Sequence, residues 1–165
     1  MKEKRTSELL DILNSIDNKN NLTKYITKAK LNYNSLDFNN YFEELLNMKN
    51  LKKSTIIEFS NLDRTYAYQI LNGKKKPSRD KILQLCIAAN LNFDEVQKCL
   101  TLGNVGQLYA KSPRDSAIIF GIKNNISLID INNLLHDLNL DLLGEWHIEL
   151  PLIIKYFEEG YLLWV

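Results

Sequence analysis

The sequence predicts an all-α protein, and three observations support this prediction. Apolar side chains recur every three or four residues along most of the 165-residue chain, which is the period of an amphipathic helix. Only six glycines and three prolines interrupt the chain, and this scarcity favours long helices over many short strands. Many of the twenty asparagines stand between the periodic segments, at positions typical of helix caps and turns.

The composition is 45% apolar and 25% charged, which is enough to bury a core in one domain or in a small domain with appendages. The formal net charge is only +1, so a nucleic-acid surface would need local clustering of basic residues. Cys86 and Cys99 lie on apolar helical stripes, and no secretory signal or membrane-length apolar run is present. We therefore expect a cytoplasmic protein with reduced core cysteines.

The first third of the chain predicts two helices separated by a linker. Residues 6–17 place three leucines and an isoleucine on one face, which predicts a short amphipathic helix. Residues 18–35 are polar, so we expect mainly a linker, with room for one helical turn around Leu22 and Ile26. Helical spacing returns over residues 36–50, and its apolar positions are Phe38, Tyr41, Phe42, Leu45 and Leu46.

Two short helices with a tight turn between them are predicted over residues 53–60 and 63–71. Asn61 stands where the chain must reverse, and asparagine tolerates the left-handed backbone conformation better than other non-glycine residues. Leu62 is expected to enter the core, and Asp63 to cap the second helix.

A fourth and a fifth helix follow. Ser78 is a candidate N-cap for the fourth, and Asn92 with Glu95 resembles a capping box at the start of the fifth. Gly103 is predicted to end the fifth helix at the C′ position. The apolar stripe of the fourth helix contains Ile82, Leu83, Leu85, Cys86 and Ala89.

The remaining third predicts two more helices and an apolar tail. Ser112 followed by Pro113 begins one helix, and Ser127 with Asp130 begins the other. The helix pairs 78–102 and 112–139 have similar proportions, but we expect no convincing internal repeat. Residues 144–165 are very apolar and contain a proline, so a strand-like tail and a partner-dependent tail both stay open.

The helix predicted over residues 63–71 has a polar side that could contact DNA. At about 100° per residue, Ala67 and Ile70 fall on the side opposite to most of the polar side chains. Arginine can bond guanine bidentately, glutamine can bond adenine, and threonine offers a hydroxyl and a methyl group. For Tyr68, DNA contact and simple exposure are both open. The polar side contains Arg64, Thr65, Tyr68, Gln69 and Asn72.

Basic residues are concentrated around these two helices. Between Lys49 and Lys81 there are nine basic and three acidic residues, whereas the stretch from Asp141 onward has five acids against Lys155 alone. Such clustering is typical of phosphate-binding surfaces, and its alternative is a solvated basic face without a ligand.

Residues 40–100 resemble the five-helix Cro/repressor type of helix-turn-helix domain, also called XRE-like, found in bacterial and phage regulators. The resemblance rests on the order of five short helices, the run LNGKKKPS after the second helix of the turn, and the cap-rich start of the fifth. It implies a lambda-repressor-like DNA-binding domain over residues 36–104. A short N-terminal helix and linker (1–35) would precede it, and a helical extension with the apolar tail (105–165) would follow.

The resemblance also implies roles for individual residues. Arg64, Thr65 and Gln69 would face the bases, and Tyr68 is a further base-reading candidate because of its place on the polar side. The loop and the start of the preceding helix would touch the DNA backbone. The implied phosphate contacts are Lys53, Asn72, Lys74, Lys75 and Lys76.

Three positions depart from the family pattern. Ile57 stands where a small residue is usual, and Ala67 stands where a bulky aliphatic residue is usual. Our hypothesis is that these two changes offset each other in volume. Lys53 replaces a common glutamine and can reach a phosphate only as a point charge.

The function expected from these features is sequence-specific binding of double-stranded DNA by a transcriptional regulator, a repressor, without a cofactor. A homodimer contact through the first helix, the extension or the tail is one possibility, and completion of a single core is the other. His136 and His147 lack metal-ligand spacing and no phosphate-binding glycine loop exists, so we do not expect an enzyme or a metal site. The alternative function is a protein-interaction or antitoxin-like module that uses the apolar C-terminal region.

Overall fold

The computed structural model describes residues 6–33 and 37–144, and within these ranges every regular element is an α-helix. This confirms the all-α prediction, whereas residues 145–165 of the predicted apolar tail lie outside the described residues. The helices of the described ranges are α1 (Thr6–Asn14), α2 (Lys19–Tyr33), α3 (Phe38–Met48), α4 (Lys53–Phe59), α5 (Arg64–Leu71), α6 (Arg79–Ala88), α7 (Phe93–Leu102), α8 (Pro113–Lys123) and α9 (Leu128–Asp137).

The expectation of a linker over residues 18–35 was wrong, because most of this segment forms α2. Asn18 caps the helix by accepting a hydrogen bond from the Asn21 N–H at 2.9 Å. The apolar stripe of α2 is thin, and its members Leu22 and Ile26 remain 39% and 42% exposed. A helix that buries so little apolar surface gives a weak periodic signal, which explains the wrong prediction.

The core is built by α3 to α9. Helix α3 packs against α5 and α7, α4 packs against α5 and α6, and α6 packs against α7. Cys86 and Cys99 are fully buried free thiols, as expected for core residues, and burial raises the pKa of the Cys86 thiol well above its ordinary value. The largest fully buried side chains are Phe42, Leu45, Leu46, Ile56, Ile70, Ile82, Leu83, Leu85, Leu100, Ile118, Ile131 and Leu135.

Left-handed asparagines end most of these helices. An asparagine two residues beyond the last helical residue has a positive φ of 48° to 55°, and α5 uses Gly73 (φ 70°) at the same place. The residue after the asparagine is apolar, as in helix C-caps that place a hydrophobic contact beyond the turn. The prediction for Asn61 is confirmed. The asparagines are Asn50, Asn61, Asn90, Asn104, Asn125 and Asn139.

The prediction that Gly103 occupies the C′ position was wrong by one residue. Gly103 is the C-cap with φ −73°, and Asn104 adopts the left-handed conformation instead. Glycine suits the position for a steric reason, because a Cβ there would lie 2.3 Å from Ile82 Cδ1. A side chain at this position would force the end of the buried Ile82 side chain on α6 to move.

Most predicted N-caps are confirmed. Asn92 and Glu95 form the expected capping box of α7. Ser112 and Ser127 accept backbone N–H groups at the starts of α8 and α9. Ser78 occupies the N-cap position of α6, but its side chain makes no capping hydrogen bond.

Contrary to expectation, α6–α7 and α8–α9 are two copies of one helical hairpin, related by a shift of 35 residues. The shift carries Arg79-Asp80 onto Arg114-Asp115, and Asn90 onto Asn125. Few residues are identical between the copies, so the repeat is weak in sequence and becomes clear only from equivalent contacts.

In each copy, an amide side chain of the second helix binds the backbone of the loop that follows this helix. The Gln97 amide donates to the Leu108 carbonyl at 3.0 Å and accepts from the Leu108 N–H at 2.8 Å. Asn132 makes the same two bonds with Leu143, at 3.2 and 2.8 Å. Both pairs are eleven residues apart, so the loop after the second helix returns to that helix at the same point.

A reciprocal clamp joins the two hairpins. Arg79 bonds Asp115 of the second hairpin at 2.8 Å, and Arg114 bonds Asp80 of the first at 2.9 Å. Each guanidinium also donates to two carbonyl groups of the loop that ends its own hairpin. Helix α6 packs against α9, and α7 packs against α8. Because the two hairpins make equivalent contacts with each other, the four-helix unit α6–α9 has an internal pseudo-twofold symmetry.

Candidate nucleic-acid interface

The turn between α4 and α5 sets the orientation of α5. Asn61 reverses the chain with a φ of 53°, and Leu62 enters the core. The Asp63 carboxylate accepts the Tyr66 N–H at 2.8 Å, which confirms the predicted N-cap. A capped helix start directly after a buried leucine gives the first turn of α5 a fixed position.

One side of α5 is buried in the core. Ala67 and Ile70 are fully buried, and the Asn39 side chain of α3 donates a hydrogen bond to the Ile70 carbonyl. Ile57 of α4 is also buried, so both members of the predicted size exchange lie in the core. These contacts hold α5 against α3 and α4 and leave its other side to solvent.

The predicted base-reading residues differ in exposure. Arg64 and Thr65, in the first turn of α5, are exposed, whereas Tyr68 and Gln69 are half-buried. Tyr68 packs partly against the core, so its expected outward position is only partly correct. The start of α5 is therefore its most accessible part.

The lysine loop after α5 is held by backbone hydrogen bonds. Asn72 is the exposed C-cap, and Gly73 takes the left-handed conformation that ends the helix. The N–H groups of the first two lysines in Lys74–Lys76 donate to the Gln69 carbonyl at 2.8 and 3.1 Å. All three lysine side chains are exposed, so the loop combines an ordered backbone with accessible charge.

Tyr66 of α5 is half-buried, and two lysine side chains lie over its ring. Lys75 Nζ lies 5.1 Å from the centre of the Tyr66 ring, and Lys81 Nζ of α6 lies 6.0 Å from it. Such cation–π contacts favour keeping the ammonium groups near the ring. The sequence had shown Lys81 only as part of a charge cluster, because its position beside the loop depends on how α6 packs.

Lys53, a predicted phosphate contact, has an ion-pair partner. Its Nζ lies 2.7 Å from Oε1 of Glu43 on α3, and the Glu43 side chain is 51% exposed. An exposed pair of this kind contributes only about 0 to 1 kcal/mol. Lys53 can therefore exchange Glu43 for a phosphate at small cost.

An open groove of about 620 Å³ lies beside the turn. Glu58 and Asp63 line it together with Arg64, and Ile57 and Leu62 supply apolar surface. Two carboxylates beside one guanidinium make the groove unsuitable for a small anion. The exposed lysine cluster lies instead at the opposite end of α5, on the lysine loop.

Within residues 6–33 and 37–144, no group of three or more histidine, cysteine, aspartate or glutamate side chains is placed to hold a metal ion. In the same ranges no helix is long and apolar enough to cross a membrane.

Comparison of the chain with protein-family models, with curated proteins and with solved structures finds no match.

Proposed function

We propose that this chain is a sequence-specific DNA-binding regulator of transcription, a repressor of the Cro/repressor type, with α5 as the recognition helix. The observation that carries the proposal is the placement of exposed groups on α5. Arg64 and Thr65 are exposed in its capped first turn, and Lys74–Lys76 are exposed on the ordered loop at its other end.

The base contacts would come from the first half of α5. A helix that enters the major groove contacts base edges with its N-terminal residues. Arg64 can bond O6 and N7 of a guanine, and Thr65 can bond a base or contact a thymine methyl group. Gln69 is half-buried and follows one turn later, so it would contact the neighbouring base pair after a small side-chain movement.

The phosphate contacts would come from both sides of α5. Lys74–Lys76 and the Asn72 side chain project from the loop after the helix, and Lys53 begins α4 on the other side of the turn. Phosphate contacts fix the register of a protein on DNA but carry no sequence information. The small net charge of the whole chain makes this local cluster the main source of electrostatic attraction.

The test is selection from random double-stranded DNA with the full chain, followed by mobility-shift assays on the enriched sequences. A defined sequence motif is the expected result. Failure to enrich any motif at moderate salt, where non-specific binding is suppressed, would contradict the proposal. A palindromic motif would also report the spacing of two half-sites.

A protein-interaction or antitoxin-like module is the second candidate. Its support is the exposure of three large apolar side chains, Phe120, Ile129 and Leu138, on α8 and at the two ends of α9. Such exposed apolar surface is typical of protein-binding faces. A pure interaction module would enrich no DNA motif in the same selection.

A further inference from the structure

The internal pseudo-symmetry identifies an apolar face of α8–α9 that one chain leaves open. The first hairpin packs on two sides. One side of α6 and α7 contacts the second hairpin, and another side contacts α3 and α4. Leu85, on α6, is fully buried, but its equivalent Phe120 is 54% exposed. Gly103 is buried at the end of α7, and its equivalent Leu138 is 52% exposed. The second hairpin therefore presents to solvent a face that the first hairpin covers.

The rim that α9 gives this face is acidic, whereas α8 carries Lys123 in its last turn. In the first hairpin, Glu95 pairs with Lys49 at the end of α3 at 3.2 Å. Its equivalent in the second hairpin is Asp130, and α9 also carries Asp137, with no lysine or arginine in the helix. Both aspartates are exposed. An occupant that repeats the contacts of α3 would bring apolar side chains to the centre and a lysine to the rim.

Helix α2 has these properties. Its sequence, KNNLTKYITKAKLNY, contains four lysines and no acidic residue. Leu22 and Ile26, one turn apart, form an exposed apolar stripe. Lys19 lies only about 60° around the helix from Leu22, so it flanks the stripe. The apolar stripe and the positive charge complement the apolar centre and the acidic rim of the open face.

We propose that α2 of a second copy of the chain docks on the open face of α8–α9, so that two copies exchange their α2 helices in a reciprocal dimer. The single chain exposes four apolar side chains that the dimer would cover in each of its two copies: Leu22, Ile26, Phe120 and Leu138. The proposal goes beyond DNA binding, because it names a partner and a surface away from α5 and can be tested without DNA.

Sedimentation velocity of the full chain at micromolar concentration is the first test. The wild-type chain is expected to be a dimer, and Phe120→Asp and Ile26→Asp are each expected to give monomers. Met48→Asp is the matched control, because Met48 is an equally exposed apolar residue (62%) on α3, outside the proposed contact. Circular dichroism and thermal melting establish that each variant is folded. A monomeric wild-type chain would overturn the proposal.

Mixing the two variants identifies the occupant. In a reciprocal exchange, a Phe120→Asp chain still has an intact α2, and an Ile26→Asp chain still has an intact open face. The mixture is therefore expected to form a heterodimer through one intact contact, although neither variant dimerises alone. If Phe120→Asp prevents dimerisation and Ile26→Asp does not, two α8–α9 faces meet each other and α2 is not the occupant. A dimer that survives both substitutions places the contact elsewhere and also overturns the proposal.

Discussion

At the scale of single residues, Arg64 combines exposure with a fixed backbone. Asp63 caps the helix directly before it, and the side chain projects from the first turn of α5. We expect Arg64→Ala to weaken binding to a selected DNA site by about 1 to 3 kcal/mol and to relax the preference at one base pair. Mobility-shift titration on the selected site and its single-base variants measures both effects. Unchanged affinity would rule out the proposed docking of α5.

Gln84 is a buried polar residue whose lost hydration is not replaced by hydrogen bonds to the described residues. It is fully buried, and among residues 6–33 and 37–144 neither Nε2 nor Oε1 of its amide has a hydrogen-bond partner. Replacing an unsatisfied buried amide by an apolar group of similar shape removes its desolvation cost. We expect Gln84→Met to raise the free energy of unfolding by about 1 to 3 kcal/mol, measured by urea denaturation.

Gln97 supplies the control for this prediction. Its amide makes two hydrogen bonds with the Leu108 backbone, so Gln97→Met should lower the free energy of unfolding. Gly144 lies against Gln84, since a Cβ there would be 2.5 Å from Gln84 Nε2. If Gln84→Met is destabilising instead, the burial of this amide is not a net cost to the fold.

At the scale of elements, the lysine loop is an ordered unit rather than three independent charges. The Gln69 carbonyl holds its backbone, and the Tyr66 ring holds Lys75. We expect Lys75→Ala to weaken binding to all DNA sequences alike and to reduce the slope of log K against log salt by about 1. Lys111→Ala, an exposed lysine outside the cluster, should leave the slope unchanged. A loss restricted to the selected site would contradict a phosphate role.

The packing of α4 against α5 provides a second prediction at this scale. Ile57 and Ala67 are both buried, with sizes opposite to those usual in the family that the sequence resembles. If the two volumes offset each other, Ile57→Ala with Ala67→Ile should cost less free energy of unfolding than the sum of the single changes. Urea denaturation of the four proteins in this cycle measures the coupling. Strict additivity would show that the two side chains fill separate spaces.

Elements defined by local chemistry could be predicted from the sequence. The turn at Asn61, the cap at Asp63 and the capping box at Asn92 depend on residues within four positions of one another. Helix α2 was missed because its stripe is thin and exposed. The exposure of Tyr68 could not be predicted, because it depends on how α5 packs against α3 and α4. The place of Lys81 beside Tyr66 depends in the same way on the packing of α6.

At the scale of the whole molecule, the repeat was hidden in the sequence because its strongest signal is a contact pattern. Arg79 and Asp115 are 36 residues apart, and nothing local indicates that they meet. The sequence signs were similar helix lengths in the two pairs and a few identical residues, such as Arg79-Asp80 and Arg114-Asp115. Their equivalence became clear when Arg114 and Asp80 proved to make the reverse contact.

The clamp predicts that the two hairpins unfold together. Arg114 bonds Asp80 and the loop that ends its own hairpin, and its side chain is only 19% exposed. We expect Arg114→Met to lower the free energy of unfolding by about 1 to 3 kcal/mol, since hydrogen bonds to charged groups are lost and Asp80 is left without its partner. Native-state hydrogen exchange should become faster in α6–α7 as well as in α8–α9. Faster exchange confined to α8–α9 would mean that the hairpins open independently.

The reciprocal exchange of Arg79 and Arg114 has the form of a twofold dimer interface contained in one chain. Because the two halves are tethered by residues 109–111, their encounter is governed by a fixed effective concentration and not by the amount of protein. The four-helix unit therefore stays assembled at any dilution. If the measured DNA affinity depends on protein concentration, this dependence must come from contacts between separate chains, because the contacts within α6–α9 do not change on dilution.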